Sequence, residues 1–126
     1  MNGKQRRNKM SSFKEIKVYQ VKRTSREAFL WEGKKKEGYL LYEDYDLVAI
    51  VHLSKDASLE EAYRLTNSIH CAWWENSSVV KLFDGEGCRS TSRDDVLVDE
   101  NDIAYAVLDF GLEPIDEETG RIKPNA

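Results

Sequence analysis

The segment that begins at Ser58 places the strongest constraint on how this chain folds. Ser58-Leu59-Glu60-Glu61 has the pattern of a capping box, in which the serine hydroxyl accepts from the Glu61 amide and the glutamate reaches back. An apolar stripe at helical spacing follows, formed by Leu59, Ala62, Tyr63, Thr66 and Ile69. The pattern predicts a helix over 59–69 that packs through this stripe.

Runs of strand-favouring residues predict a sheet beside the helix. The predicted strands cover 15–22, 47–53, 79–83, 96–98 and 103–110. The last two form a hairpin pattern, because the four polar residues 99–102 join them. Strands and helices do not alternate regularly along the chain, so we predict an α+β fold with a mixed or antiparallel sheet and one main packed helix.

The chain of 126 residues fits one compact domain, which we place at 13–115. The basic segment 1–12 and the polar segment 116–126 are predicted to be tails. No apolar stretch approaches the roughly 20 residues that span a bilayer. Because no apolar core follows the basic N-terminus, we predict a cytoplasmic protein that does not associate with membranes.

The ligands that soft metals prefer are few and poorly spaced. They are His52, His70, Cys71 and Cys88. Their spacing matches no zinc motif, and two cysteines do not make a disulfide framework. We therefore predict no metal, no cofactor and no catalytic residues.

The charge is distributed unevenly along the chain. Residues 1–36 hold 12 Lys and Arg against 3 Asp and Glu, a local charge of +9, whereas residues 84–118 hold 2 against 12, a local charge of −10. Such a split either creates long-range fields of opposite sign or neutralises itself across the folded surface.

A dense polar cluster precedes the strand at 96–98. We predict that Ser90, Ser92 and Asp95 form a structural turn, in which hydroxyl and carboxylate groups bind nearby backbone groups. The alternative is a binding loop for a polar ligand, with Arg89 and Arg93 supplying positive charge. The two aspartates next to them argue against phosphate.

Two adjacent tryptophans follow the predicted helix. Adjacent residues of an extended segment point in opposite directions, so we expect one ring in the core and the other at the surface. Trp73, Trp74 and Asn76 are therefore the candidates for binding another protein, because tryptophan is enriched at interface hot spots. A purely structural pair is the alternative.

The order of these blocks resembles a known pattern. R-S-x-S-x-x-D-V at 89–96, followed by Y-x-V-x-x-x-G at 105–111, is similar to the end of YodL-like domains and resembles small uncharacterised proteins of phages, plasmids and bacterial genomes. The resemblance covers 58–115 well and implies no catalytic residues. The pattern usually has Val-Gly where this chain has Arg93-Asp94, which removes the residue that most readily makes a tight turn.

We therefore predict a small non-enzymatic accessory protein, encoded by a phage or mobile element, that binds another protein. Two alternatives stay open. One is a nucleic-acid-binding module that uses the basic N-terminal third, including Lys4, Arg6, Arg7 and Lys9. The other is an enzyme with a polar site at 89–95.

Overall fold

A computed structural model describes residues 13–22, 44–67, 72–108 and 111–116. Within these ranges the chain forms six strands, β1 (Phe13–Val21), β2 (Tyr45–Ser54), β3 (Val79–Lys81), β4 (Val96–Val98), β5 (Ala104–Leu108) and β6 (Gly111–Pro114). The described residues also include the α-helix α1 (Leu59–Leu65) and a 3₁₀ helix at Trp73–Glu75. The predicted tail 1–12 and all of the predicted tail 116–126 except Asp116 lie outside the described residues.

All strand pairs in the sheet are antiparallel, and the spatial order is β3-β2-β1-β4-β5-β6. The fold is thus mostly an antiparallel sheet with a short helix, which agrees with the α+β prediction in its coarse form. The β1–β2 pair is the longest and contains a bulge: Val18 faces Ala49 but Tyr19 faces Leu47, so Val48 is the extra residue.

Alternation along the strands divides the buried residues into two groups. One face of the sheet, which we call the helix face, carries Ile16, Val18, Ala49, Val51, Leu97 and Val107 in one cluster with Ala62 of α1 and with Trp73. The opposite face carries Tyr19, Val21, Tyr45, Val96, Val98, Ala106 and Ile115. The middle of the sheet is buried on both faces, as the wholly apolar β4 requires.

The helix differs from its prediction at both ends. The Ser58 side chain makes no capping bond, and Glu61 instead receives two hydrogen bonds from Arg64. At the other end α1 stops at Leu65, and Thr66 is its C-cap, with its hydroxyl donating to the carbonyl of Ala62 at 2.9 Å. Ile69, the last residue of the predicted stripe, lies outside the described residues.

Strand boundaries also differ from their predictions. β1 begins two residues before its predicted start and ends one residue before its predicted end, and β2 is longer at both ends. β3 ends at Lys81, two residues before its predicted end. The predicted strand at 103–110 corresponds to β5, and β6, which was not predicted, follows it and pairs with it, with Leu108 facing Gly111. Gly111 has a φ of +131°, a conformation that favours glycine, and this allows the chain to reverse.

Candidate functional site

The loop 88–95 lies between the β3 region and β4, and an ion pair organises it. The Arg89 guanidinium donates from Nη1 to Asp95 Oδ2 and from Nη2 to Asp95 Oδ1, both at 2.7 Å. The Asp95 side chain is 0% exposed, whereas 34% of the Arg89 side chain reaches solvent. This bidentate geometry is among the strongest hydrogen-bonding arrangements between arginine and a carboxylate.

Two backbone amides complete the surroundings of Asp95. The Val21 N–H donates to Oδ1 at 3.0 Å and the Ser92 N–H donates to Oδ2 at 2.7 Å. Arg89 also donates to the carbonyl of Val21 at 3.3 Å. The pair therefore fixes the end of β1 to the loop, and every oxygen of the buried carboxylate is satisfied.

The predicted turn residues Ser90 and Ser92 lie on the arginine side of this pair. The Arg89 Nη1 group donates to the Ser90 carbonyl at 3.1 Å and to the Ser92 hydroxyl at 3.2 Å. The Asp95 N–H donates to the Ser92 carbonyl at 3.0 Å, which closes the turn. The side chains of loop 88–95 thus bind backbone groups of the protein itself. The contact between Asp95 and the Val21 amide of β1 joins residues that are far apart in the sequence.

A second set of polar contacts ties the loop to β1 and to the end of α1. Gln20 donates to the Arg89 carbonyl at 2.9 Å and accepts from the Cys88 thiol at 3.1 Å. The Thr91 N–H donates to the Thr66 carbonyl at 2.9 Å, and Asn67 donates to the carbonyl of Thr91. Burial raises the pKa of the Cys88 thiol, which keeps it protonated and a poor nucleophile at neutral pH.

Asp94 occupies the position where the resembled pattern has glycine. Its φ is +74°, so the tight left-handed turn is present without glycine. The Asp94 N–H donates to the Val107 carbonyl at 2.8 Å, and its carbonyl accepts from the Tyr45 hydroxyl at 2.6 Å. Contacts to two separate strands hold this backbone conformation in place.

The tryptophan segment packs behind the same loop. Trp73 is 2% exposed, and its Nε1 donates to the Arg89 carbonyl at 3.1 Å, so it is a core residue and offers no exposed anchor. Trp74 is half-buried and meets Trp73 and Phe83 edge-on, each at 5.4 Å between ring centroids. Asn76 is exposed, and its Oδ1 accepts from the Ser78 N–H at 2.8 Å.

The aromatic cluster supports an apolar edge that the sequence analysis did not single out. Among the described strands β3 is the outermost on its side of the sheet, and Val80 and the following Leu82 are each 42% exposed. The segment Val79-Val80-Lys81-Leu82-Phe83 has apolar residues at adjacent positions. A strand with one buried face needs only alternate apolar residues, so the additional ones indicated an exposed apolar surface.

A cleft of about 840 Å³ lies beside this edge, between the start of β2, the end of β1 and residues 82–89. Its walls combine apolar and acidic side chains, including Asp46, Leu47, Leu82, Phe83, Asp84 and Cys88. No sequence pattern indicates this cleft, because its walls come from parts of the chain that are far apart.

The remaining candidates do not join this region. The ring of His52 lies 3.1 Å from a carboxylate oxygen of Glu15, while His70, Cys71, Lys4, Arg6, Arg7 and Lys9 lie outside the described residues. Among the described residues no group of three or more His, Cys, Asp or Glu side chains is placed to hold a metal ion. No helix in those ranges is long and apolar enough to cross a membrane.

Comparison with protein-family models, with curated proteins and with solved structures finds no match for this chain.

Proposed function

We propose that this protein acts by binding another protein, whose extended segment adds to the sheet along β3. The observation that carries the proposal is a pair of apolar side chains, each 42% exposed: Val80 on the outermost of the described strands and Leu82 directly after it. An added strand gains main-chain hydrogen bonds from the edge and side-chain specificity from its alternating residues.

The backbone of β3 is suitably oriented for such pairing. The His52 N–H donates to the Ser78 carbonyl at 2.7 Å and the Leu82 N–H donates to the Val48 carbonyl at 2.9 Å. In an antiparallel pair these bonds alternate, so 78, 80 and 82 bond to β2 while Lys81 directs its N–H and carbonyl away from β2. No strand in the described part of the chain pairs with that outer side.

The aromatic cluster gives this edge a rigid support. Trp73, Trp74 and Phe83 contact one another with ring centroids 5.4–5.8 Å apart. A preformed edge costs little conformational entropy when a partner binds, which favours affinity. Trp74 is half-buried next to Phe83 and stays a candidate for contact with the partner protein, whereas Trp73 is buried and is no longer a candidate.

The polar loop supports a function without chemistry. Arg89 is committed to Asp95, the Cys88 thiol donates to Gln20, and the Ser92 amide donates to the Asp95 carboxylate. We propose that 13–115 forms one domain, in which α1 is the main packed helix and the β4–β5 pair is the hairpin expected near the C-terminus. We further propose a cytoplasmic accessory protein of a phage or mobile element, a proposal that rests on the motif resemblance at 89–111.

The test removes the outward-facing donor of β3 without touching its bonds to β2. Lys81→Pro does this, since proline is tolerated at the free edge of a sheet, and Lys81→Ala is the matched control. A photo-crosslinking residue at position 80 in the producing cell identifies the partner, and the same residue at Phe13, which is 60% exposed, reports background.

We expect position 80 to form a protein adduct that position 13 does not form. Lys81→Pro should abolish the adduct while its thermal unfolding stays close to that of Lys81→Ala. Equal adducts in both variants would contradict strand addition. Binding to nucleic acid that falls with salt and ignores Lys81→Pro would favour the alternative function instead.

A further inference from the structure

We infer that the cleft beside β3 receives a lysine or arginine side chain from the partner segment; this inference rests on the proposed function. Leu82 and Phe83 continue directly from β3 and also form part of the cleft wall. A segment that pairs with β3 and runs past Lys81 therefore crosses the mouth of the cleft. Every second side chain of that segment points to the sheet face that Val80 and Leu82 occupy.

The charges that line the cleft favour a cation. Asp46 and Asp84 are both exposed carboxylates on its wall, and Arg89 is the only cation among the described lining residues. The charge of Arg89 is neutralised by Asp95 through two hydrogen bonds of 2.7 Å. Among its described lining residues, the cleft thus presents two carboxylates and no cation that is left to balance them.

The cation nearest to the edge is also engaged within the protein. The Lys81 ammonium donates to the Gly85 carbonyl at 2.6 Å and lies 4.8 Å from the centre of the Phe83 ring. It does not bind the carboxylates of the cleft in this arrangement. Residues 75–88 contain Lys81 against three acidic residues, Glu75, Asp84 and Glu86, so the surroundings are acidic as well.

The apolar part of the wall suits the stem of a long basic side chain. Leu47, Leu82 and Phe83 line the cleft together with the two aspartates. Lysine and arginine pack their methylene groups on apolar surface while the charged end stays near water and carboxylates. An acidic or purely apolar side chain would satisfy only one part of this wall.

The experiment uses two blocked hexapeptides, Thr-Val-Lys-Val-Lys-Val and the same sequence with glutamine in place of lysine. Each is titrated into the full chain labelled with ¹⁵N, and amide shifts are followed. We expect both peptides to shift residues 79–82, and the lysine peptide to bind more tightly. Asp46→Asn and Asp84→Asn should each weaken the lysine peptide about 2- to 5-fold and leave the glutamine peptide unchanged.

Glu86→Gln is the matched control, because Glu86 is exposed in the same turn but is not among the lining residues. It should leave both affinities unchanged. Equal affinities for the two peptides, or an unaffected Asp84→Asn, would overturn the cation subsite and leave strand addition standing. If neither peptide shifts residues 79–82 at millimolar concentration, the proposed function itself fails.

Discussion

Removal of one partner of the Arg89–Asp95 pair should be among the most damaging single changes in this protein. Asp95 is fully buried and accepts four hydrogen bonds, two from Arg89 and one each from the amides of Val21 and Ser92. In Arg89→Met the carboxylate keeps only the two amides and stays buried. Loss of one partner from a buried pair costs about 3–5 kcal/mol.

The reverse change should cost less. Asp95→Asn keeps the shape of the side chain and leaves a guanidinium that is already 34% exposed, so water can solvate it in part. The double variant should be more stable than the sum of the single losses predicts, by about 2 kcal/mol, because neither charge then remains unpaired. The size of this coupling separates the ion pair from simple loss of packing.

Urea unfolding of the four proteins measures the cycle. Domains of this size have about 5–15 kcal/mol of stability, so a loss of about 3–5 kcal/mol is a large fraction of it. Arg89→Met should therefore lower the melting temperature by roughly 10–20 °C. Glu61→Gln is the matched control, since Glu61 pairs with Arg64 on the surface of α1 and the variant should unfold like the parent. A cost below about 1 kcal/mol for Arg89→Met would refute the argument that the pair holds the loop to β1.

Two further predictions concern the same loop. At Asp94, whose φ is +74°, glycine should give a protein about 1 kcal/mol more stable than alanine in urea unfolding; equal stabilities would contradict the left-handed turn. Because burial raises the pKa of Cys88, its alkylation by iodoacetamide should become fast only at a pH higher than for free cysteine. The stability that the protonated Cys88 thiol contributes is fully present below the pKa that this thiol has in the unfolded chain. It is lost as the pH rises through the pKa of the thiol in the folded protein. Peptide mass spectrometry distinguishes Cys88 from Cys71, and rapid alkylation of Cys88 at pH 7 would argue against its burial.

Strands were predictable where local composition alone decides them. β4 agrees with its predicted bounds, because three apolar residues stand between Asp95 and Asp99 and are buried on both faces. β6 was missed because the run from Tyr105 to Ile115 looks like one apolar segment. Its only sign of a reversal was Gly111, whose φ of +131° marks the start of the new strand.

The end of α1 was not predictable, because its cause lies elsewhere in the fold. Asn67 leaves the helix and donates both to the Tyr63 hydroxyl and to the carbonyl of Thr91, which is 24 positions further along the chain. The carbonyl of Thr66 accepts a hydrogen bond from the amide of Thr91. A periodic pattern cannot show that a polar partner from another segment will stop the helix.

Some contacts of loop 88–95 have local causes that the sequence shows, and others depend on distant residues. The residue types at 90–95 predicted a turn, and its local bonds from Ser92 and Asp95 are of the expected kind. The contact of Asp95 with Val21 joins residues 74 positions apart, and the sequence gives no sign of it. Arg89 was considered as a charge for a ligand, whereas it is used to satisfy the buried carboxylate.

The state of Lys81 decides how the exposed edge of β3 is best interpreted. Natural sheets protect their edges with short strands and with lysine, and β3 has both features, since it has three residues and Lys81 at its end. The ammonium, however, turns back to the Gly85 carbonyl and the Phe83 ring, so it does not cover Val80 or Leu82. Val80 in β3 and Leu82 just after it stay exposed, beside a packed aromatic cluster. Because adjacent residues of a strand point to opposite faces, Lys81 shields neither Val80 nor Leu82. These side chains are left for an added strand to cover, so we favour an edge that binds a partner strand.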